Sequence, residues 1–368
     1  MRRVACSPRF EWQARVEQDG LTFHDGYWDE SAYYSFTSAE IDRLELATND
    51  LHALCLQAVQ SVIDRDLFAR LQIPPHAAAL VRQSWESEPP SLYGRFDLAY
   101  DGSGPPKLLE YNADTPTALL EASVIQWRWL QDTAKEKDQF NSIHDRLIAG
   151  WKDLQPYLPG EVLHFCAQQE PEDIITASYL QDCAAQAGLA TAWLGIDEIG
   201  WDPDQQRFCD LQRRTLRNVF KLYPWEWMVR ERFGEHLLPS ARKTLWIEPA
   251  WKMVLSNKGI LPVLWELAPG HPNLLEARFD RGALQSFARK PLLSREGANV
   301  TLVRDGREIA AGPDAGYGAE GFVYQALAEG RAVLGSWVVQ GEAAGLGVRE
   351  SDGPITGNRS RFVPHRID

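Results

Sequence analysis

Two short apolar runs, GRFDLAY beginning at Gly94 and PKLLEYN ending at Asn112, bracket the turn sequence DGSGPP. Runs of this length on either side of a Gly/Pro-rich turn pair as an antiparallel hairpin. The second run leads into KLLEYNADTPTALLEA, in which a Glu and an Asn two residues apart precede an Asp and two Thr, and TALLEASVIQWRWLQDTA then begins an amphipathic helix. Alternate residues of a strand share a face. Glu110 and Asn112 therefore point to one side, and the hairpin brings Asp97 towards them. Two carboxylates and an amide oxygen are hard ligands that suit Mg²⁺ when nucleotide phosphates complete its shell. A polar strand end closed by an Asx-turn is the competing explanation.

Around this hairpin the periodicities change along the chain. Ser38 to Leu71 carries apolar residues at helical spacing, with Ser38 and Glu40 at its start. EVLHFCAQ reads as a buried strand, EDIITASYLQDCAAQAG as a helix ending at Gly188, and LATAWLGI as another strand. That order is α/β, whereas the glycine-rich last third with its short strands reads as α+β. A chain of 368 residues exceeds most single cores and divides into lobes around a cleft.

Composition removes several function classes. No run of about 18 apolar residues exists to span a membrane. The N-terminal MRRVACSPRFEWQARVE has arginines but no apolar segment behind them, so it does not read as a secretory signal and the expected location is cytoplasmic. Cysteines at 6, 55, 166, 183 and 209 show no C-x-x-C spacing, against both a disulfide framework and a zinc site. A net charge of -13 without any basic run disfavours nucleic acid, but leaves room for a phosphate-bearing small molecule at a local cluster.

Two further constellations carry chemistry. Lys252 and Lys258 flank KMVLSNK, and KPLLSREG places Lys290 ahead of Arg295, Glu296 and Gly297. Lysines beside a glycine loop hold nucleotide phosphates, and an arginine there neutralises transition-state charge; solvated surface charge is the plainer alternative. Glu170, Glu172 and Asp173 precede a helix beginning near Ile174, where they serve its dipole or bind, and deprotonate, an amine. The tryptophans of WEWM, WIEPAW and LWEL have packing spacing. His164 and His365 stand alone and read as structural. AAGPDAGYGAEG, from Ala310 to Gly321, is a candidate mobile segment.

Taken in order, RFDLAYDGSGPPKLLEYNADTPT, EPAWKMVLSNKGILPVLWE, KPLLSREGANV, FVYQALA, GSWVV, GVRES and ITGNRSRFVPH resemble the synthetase domain of the glutathionylspermidine synthase family, from about residue 10 to the C-terminus. The resemblance implies a permuted ATP-grasp fold. It also implies an ATP-dependent carboxylate–amine ligase that works through an acyl phosphate, with ATP and two Mg²⁺ ions. Its organisation would be an N-terminal helical segment (1–90) packing on the core, a preATP-grasp-like α/β region (91–215) with metal and substrate residues, and an ATP-grasp nucleotide-binding region (216–368).

Carried over by position, Asp97, Glu110 and Asn112 would hold the metal. Arg95 would contact the transferring phosphate, and Arg295 would be a mobile arginine stabilising the acyl phosphate. Lys252 and Lys290 would grip the nucleotide phosphates. Glu296, Gly297, Gln325, Ile355 and Thr356 would lie along the nucleotide. Thr115, Thr117, Glu172, Asp173 and Arg349 would face the substrates: a carboxylate donor such as a glutathione-like peptide, and an amine or polyamine. Thr115 and Thr117 replace the usual serines, and Glu172–Asp173 replaces a Glu–Glu pair, which leaves room for other substrates. No amidase domain is expected, nor amide hydrolysis. A nucleotide-binding regulator with a degenerate ligase fold is the alternative; the presence of the metal set, both lysines and Arg295 argues for the ligase.

Overall fold

A computed structural model describes residues 1–328, 330, 332–357 and 360–368. Asn358 and Arg359 of the ITGNRSRFVPH motif lie outside the described residues.

The hairpin forms, with Tyr93–Ala99 antiparallel to Lys107–Asn112, Arg95 opposite Asn112 and Asp97 opposite Glu110. It is the edge of a larger sheet. Tyr93–Ala99 also pairs with Ala332–Val339, which pairs with Glu342–Glu350, and Arg361–Val363 closes the far edge. Strand alternation divides this five-stranded sheet into two faces. On one, Phe96, Leu98, Leu334, Leu346 and Val348 join the main core, and Phe96 stacks on Tyr111 with ring centroids 3.8 Å apart. The opposite face carries Arg95, Asp97, Glu110 and Asn112. Gly94 is required where the Tyr111 hydroxyl passes, since a Cβ there would lie 2.7 Å from it.

The apolar face is covered by the helix Ser38–Asp64. Thr37 caps it: the hydroxyl accepts from the Glu40 N–H and the Glu40 carboxylate accepts from the Thr37 N–H, a capping box. Leu44, Leu51, Cys55, Val59 and Val62 are fully buried along its inner stripe. The helical spacing continues to Leu71 in the sequence, but the α-helix stops at Asp64. Asp66 enters the left-handed region at φ 52°, and the chain resumes as a 3₁₀ turn, Leu67–Leu71.

A four-stranded parallel sheet runs in the order Leu245–Ile247, Asn218–Leu222, Val162–Ala167, Ala190–Trp193. The helix Pro171–Gln186 makes its crossover and is followed by Gly188 at φ 91°, so the strand–helix–strand reading and its glycine stop both hold. A second five-stranded sheet is antiparallel, in the order Ala277–Arg278, Phe322–Ala326, Phe287–Pro291, Thr301–Arg304, Arg307–Ala311. The chain ends meet where Ala32–Phe36 pairs with both Arg2–Ala5 and His365–Ile367. Trp225, Trp246 and Trp251 are buried, as packing residues are. All five cysteines are free thiols. Among the described residues no helix is long and apolar enough to cross a membrane.

Candidate functional site

The polar face of the hairpin is a lattice of charge-assisted hydrogen bonds. Arg95 donates from Nε to Asp97 Oδ1 at 2.8 Å and from Nη1 to the Thr117 carbonyl at 2.6 Å. Asn112 donates to Asp97 Oδ2 at 3.2 Å. Across the strand pair, Lys258 lies 2.9 Å from Glu110 Oε2 and also donates to the Ser294 carbonyl at 2.5 Å. Burial raises the Asp97 carboxyl, while Arg95 pulls it down. Burial also works against the Glu110 carboxylate, but Lys258 and Lys290 outweigh it and hold the group down at about 2. Asp97, Glu110 and Asn112 thus converge as the alternation predicts, each already facing a partner.

The second antiparallel sheet supplies Lys290 from its middle strand. Its ammonium donates to the Leu109 carbonyl at 2.9 Å and to Gln325 Oε1 at 2.7 Å, and burial lowers it to about 8. Gln325 in turn donates to the Leu108 carbonyl at 2.8 Å. The Gln325 side chain therefore ties Lys290 to the hairpin. Beyond it lies a cavity of about 130 Å³ with apolar walls at Ala288, Val300, Leu302, Leu327, Val333 and Ile355, and with Asp97, Glu110, Lys258 and Lys290 at its polar end.

An adjoining cavity of about 140 Å³ shares Asp97, Glu110, Lys258, Gly297 and Thr356, and is lined further by Arg95, Asn112, Thr115, Thr117, Glu172, Asp173, Glu226, Arg295, Glu296 and Arg349. Gly297 has φ 72°, and a Cβ on it would lie 2.6 Å from Ile355 Cγ2. Arg349 donates to the Gly357 carbonyl at 2.8 Å and covers the Tyr27 ring at 5.4 Å. Its Nε is buried without a partner among the described residues, as is that of Arg295. Glu172 and Asp173 occupy the first turn of Pro171–Gln186. Burial and the neighbouring Glu172 raise Asp173 to about 7. They do the same to Glu121, which accepts a hydrogen bond from the Tyr27 hydroxyl at 2.8 Å and begins a π-helical turn, Glu121–Ile125.

One expected residue is set apart. Lys252 is 1 % exposed and forms an ion pair with Glu248 at 2.5 Å. It also donates to the Tyr93 carbonyl at 2.5 Å. Glu248 completes its shell with Ser91 Oγ and the backbone N–H groups of Leu92 and Tyr93. This pair anchors the start of the Tyr93–Ala99 strand, and Lys252 borders a different cavity, of about 430 Å³, beside His52 and Tyr111. Lys258, six residues on, is the lysine of this segment that lines both cavities with Asp97 and Glu110. The signal for it lay in SNKG, where Asn257 Oδ1 accepts from the Gly259 N–H as an Asx-turn and presents the intervening lysine. Glu226 and Glu121, read respectively as part of a packing motif and of an amphipathic helix, also belong to this region.

The donor set suits a hard divalent cation: two carboxylates and an amide at the mouth of a cleft whose other wall is cationic. Among the described residues no group of three or more His, Cys, Asp or Glu side chains gathers as a metal cage. Ligand phosphates would have to complete the shell. The segment 310–321 is tied to the same loop, since Asn299 Oδ1 accepts from the Ala315 and Tyr317 N–H groups at 2.9 and 3.2 Å.

Comparison with known proteins gives a consistent result. The family model described as glutathionylspermidine synthase preATP-grasp matches residues 3–368. A Haemophilus influenzae protein named "Putative acid–amine ligase" is 41% identical over 358 residues, covering 92% of this chain and 90% of that protein. Trypanothione synthetase of Crithidia fasciculata is 29% identical, covering 86% of this chain and 54% of its own length. The bifunctional glutathionylspermidine synthetase/amidase of Escherichia coli is also 29% identical, over 85% of this chain and 54% of its own length. The chain thus spans about half the length of the latter two.

Proposed function

Since the chain belongs to the glutathionylspermidine synthase preATP-grasp family and is an ATP-dependent carbon–nitrogen ligase, we propose that it joins a peptide-like carboxylate to an amine or polyamine through an acyl phosphate, with Mg²⁺. The observation that carries this reading is the meeting of Asp97, Glu110 and Asn112 with Lys258 and Lys290 at the junction of two adjoining cavities, one with apolar walls and one lined by charge.

Bound Mg-ATP would supply the phosphoryl group and the charge that draws its phosphates into line. Asp97, Glu110 and Asn112 would hold the metal. Lys258 and Lys290 would hold the phosphates, with Gln325 orienting Lys290. Ala288, Leu302 and Ile355 would enclose the base, and Glu296, Gly297 and Thr356 would border the phosphates. Arg95 and Arg295 would face the oxygen on which charge develops. Thr115, Thr117 and Arg349 would seat the donor carboxylate. Glu172 and Asp173 would receive the ammonium, and Asp173, raised to about 7 by burial and Glu172, has the affinity to take its proton as the amine attacks.

The test is phosphate release from Mg-ATP by the full chain, with glutathione, short peptides and amino acids as donors and spermidine, other polyamines and amino acids as acceptors. The reading expects release that needs one donor and one acceptor together and is absent in Asp97→Ala. Binding of Mg-ATP without turnover across a broad panel favours the nucleotide-binding regulator. Failure to bind Mg-ATP removes the metal and lysine roles together.

A further inference from the structure

Arg295 is held by residues outside its own loop. Its Nη2 donates to Thr115 Oγ1 at 2.8 Å and lies 3.6 Å from Glu226 Oε1. The guanidinium sits 5.3 Å over the Trp227 ring. Its Nε is buried with no partner among the described residues. At 3.6 Å the contact with Glu226 is an ion pair without a hydrogen bond, far from the bidentate fork that fixes an arginine to a carboxylate. One hydrogen bond to Thr115, charge and stacking hold this side chain, and its Nε–H is left over.

The two sides of the contact differ in rigidity. Glu226 and Trp227 stand in the turn Trp225–Met228, whose far side is pinned: Trp225 is 1 % exposed, its backbone N–H donates to Asp114 Oδ2 and its indole N–H to the Glu248 carbonyl, both at 2.9 Å. Arg295 precedes three positions at positive φ, namely Glu296 (55°), Gly297 (72°) and Asn299 (53°), in a loop tethered at Ser294 by Lys258. A fixed acceptor thus meets a loosely held donor at the wall of the cavity that also contains Asp97, Glu110 and Lys258.

We propose that Glu226 is a positioning residue that parks Arg295 over Trp227, so that swinging Arg295 from Glu226 towards the bound phosphates is a distinct step of the ligase cycle. This rests on the ligase reading above, in which Arg295 meets the transferring phosphoryl group. Glu226 sets what that swing costs. Removing its charge lowers the cost, and a nucleotide that recruits Arg295 then binds more tightly, because less of its interaction is spent on release.

The experiment measures the Kd of Mg²⁺ with adenylyl imidodiphosphate, a non-hydrolysable ATP analogue, by calorimetry on the full chain. Wild type is compared with Glu226→Gln, Glu226→Asp, Arg295→Ala and the Glu226→Gln/Arg295→Ala double variant. Glu226→Gln is expected to bind roughly twofold to fivefold more tightly, the range of a partly exposed ion pair, and Glu226→Asp, which keeps the charge, to stay closer to wild type than Glu226→Gln does. In the Arg295→Ala background the gain disappears. A merely structural role would alter stability without this dependence on Arg295. Equal affinity of Glu226→Gln and wild type, or a gain that persists without Arg295, overturns the proposal. Failure of wild type to bind the analogue instead overturns the ligase reading, and this proposal with it.

Discussion

Lys252 and Lys258 stand six residues apart in the sequence, and the structure gives them opposite duties that methionine substitution separates. Lys252 and Glu248 have side chains 2 % and 0 % exposed. Lys252→Met keeps the apolar stem but leaves the Glu248 carboxylate inside the protein with only Ser91 and two backbone N–H groups. Breaking a buried pair in this way costs about 3–5 kcal/mol, a large share of the roughly 5–15 kcal/mol that holds a domain together. The Glu110 side chain, by contrast, is 27 % exposed and keeps Lys290 near it, so Lys258→Met leaves a partly hydrated carboxylate still facing a cation and costs about 1–2 kcal/mol of stability, clearly less than Lys252→Met. What Lys258→Met loses is a charged donor to phosphate, worth about 1.5–3 kcal/mol, or roughly tenfold to hundredfold in Kd. Urea unfolding and Mg-ATP calorimetry on the folded variants read the two effects separately. The expected pattern is a urea midpoint lowered by roughly 1 M in Lys252→Met with near-native nucleotide affinity, and in Lys258→Met a smaller fall of the midpoint with weakened nucleotide binding. Wild-type stability with lost nucleotide affinity in Lys252→Met would refute the assignment of both lysines.

Three further outcomes are expected. Asp173 titrates at about 7 because burial and Glu172 disfavour its charge; the folded state keeps a proton that the unfolded chain releases near pH 4, so stability falls as pH rises from about 4 to 7 and stays reduced above. Urea melts at pH 5 and pH 8 should show that loss in wild type and a smaller one in Asp173→Asn; equal slopes would contradict it. Gly297→Ala places a Cβ 2.6 Å from Ile355 Cγ2 at φ 72° and should strain the loop by about 1–3 kcal/mol, weakening Mg-ATP binding; an unchanged Kd would show that the loop does not border the nucleotide. Phe96→Ala removes a fully buried ring stacked on Tyr111 and should cost about 3–5 kcal/mol in urea melts; a cost under about 1 kcal/mol would mean the hairpin does not depend on that face.

The hairpin could be read from the sequence because both of its determinants are local: the turn chemistry of DGSGPP and the two-residue period that groups Glu110 with Asn112. The same holds for the helix stop at Gly188, where a left-handed residue is needed. The pairing of Tyr93–Ala99 with Ala332–Val339 left no local mark, since neither strand records which distant edge completes its ladder. The different settings of Lys252 and Lys258 left no local mark for a related reason. KMVLSNK gives both of them the same composition and charge, and only the packing of Lys252–Ser256 beneath the Tyr93 strand buries one, while the Asx-turn at Asn257 presents the other. Gln325 lines the apolar-walled cavity, and its amide is spent on Lys290 and Leu108, a use that depends on two sheets meeting. Glu226 was hidden because it sits in a tryptophan-rich segment that reads as packing, whereas only Trp225 joins the core and Trp227 is half-buried under Arg295.

The resting charges explain why no single segment of the chain could serve as the site. Asp97 is held by Arg95 and Glu110 by Lys258, so each carboxylate of the proposed metal set neutralises a cation of the proposed phosphate set. Arg95 and Lys258 can turn to a phosphate only when Asp97 and Glu110 are given another cation. Conversely, those carboxylates can accept a metal only as their guanidinium and ammonium partners find new anions. Metal and nucleotide are therefore expected to bind with strong positive coupling, and a hairpin that carried the acids alone would hold neither. Bringing Lys258, Lys290 and Arg295 to that hairpin from the other side of the cleft serves charge balance as much as geometry, because a pair of half-buried carboxylates facing no cation would be costly in the empty protein.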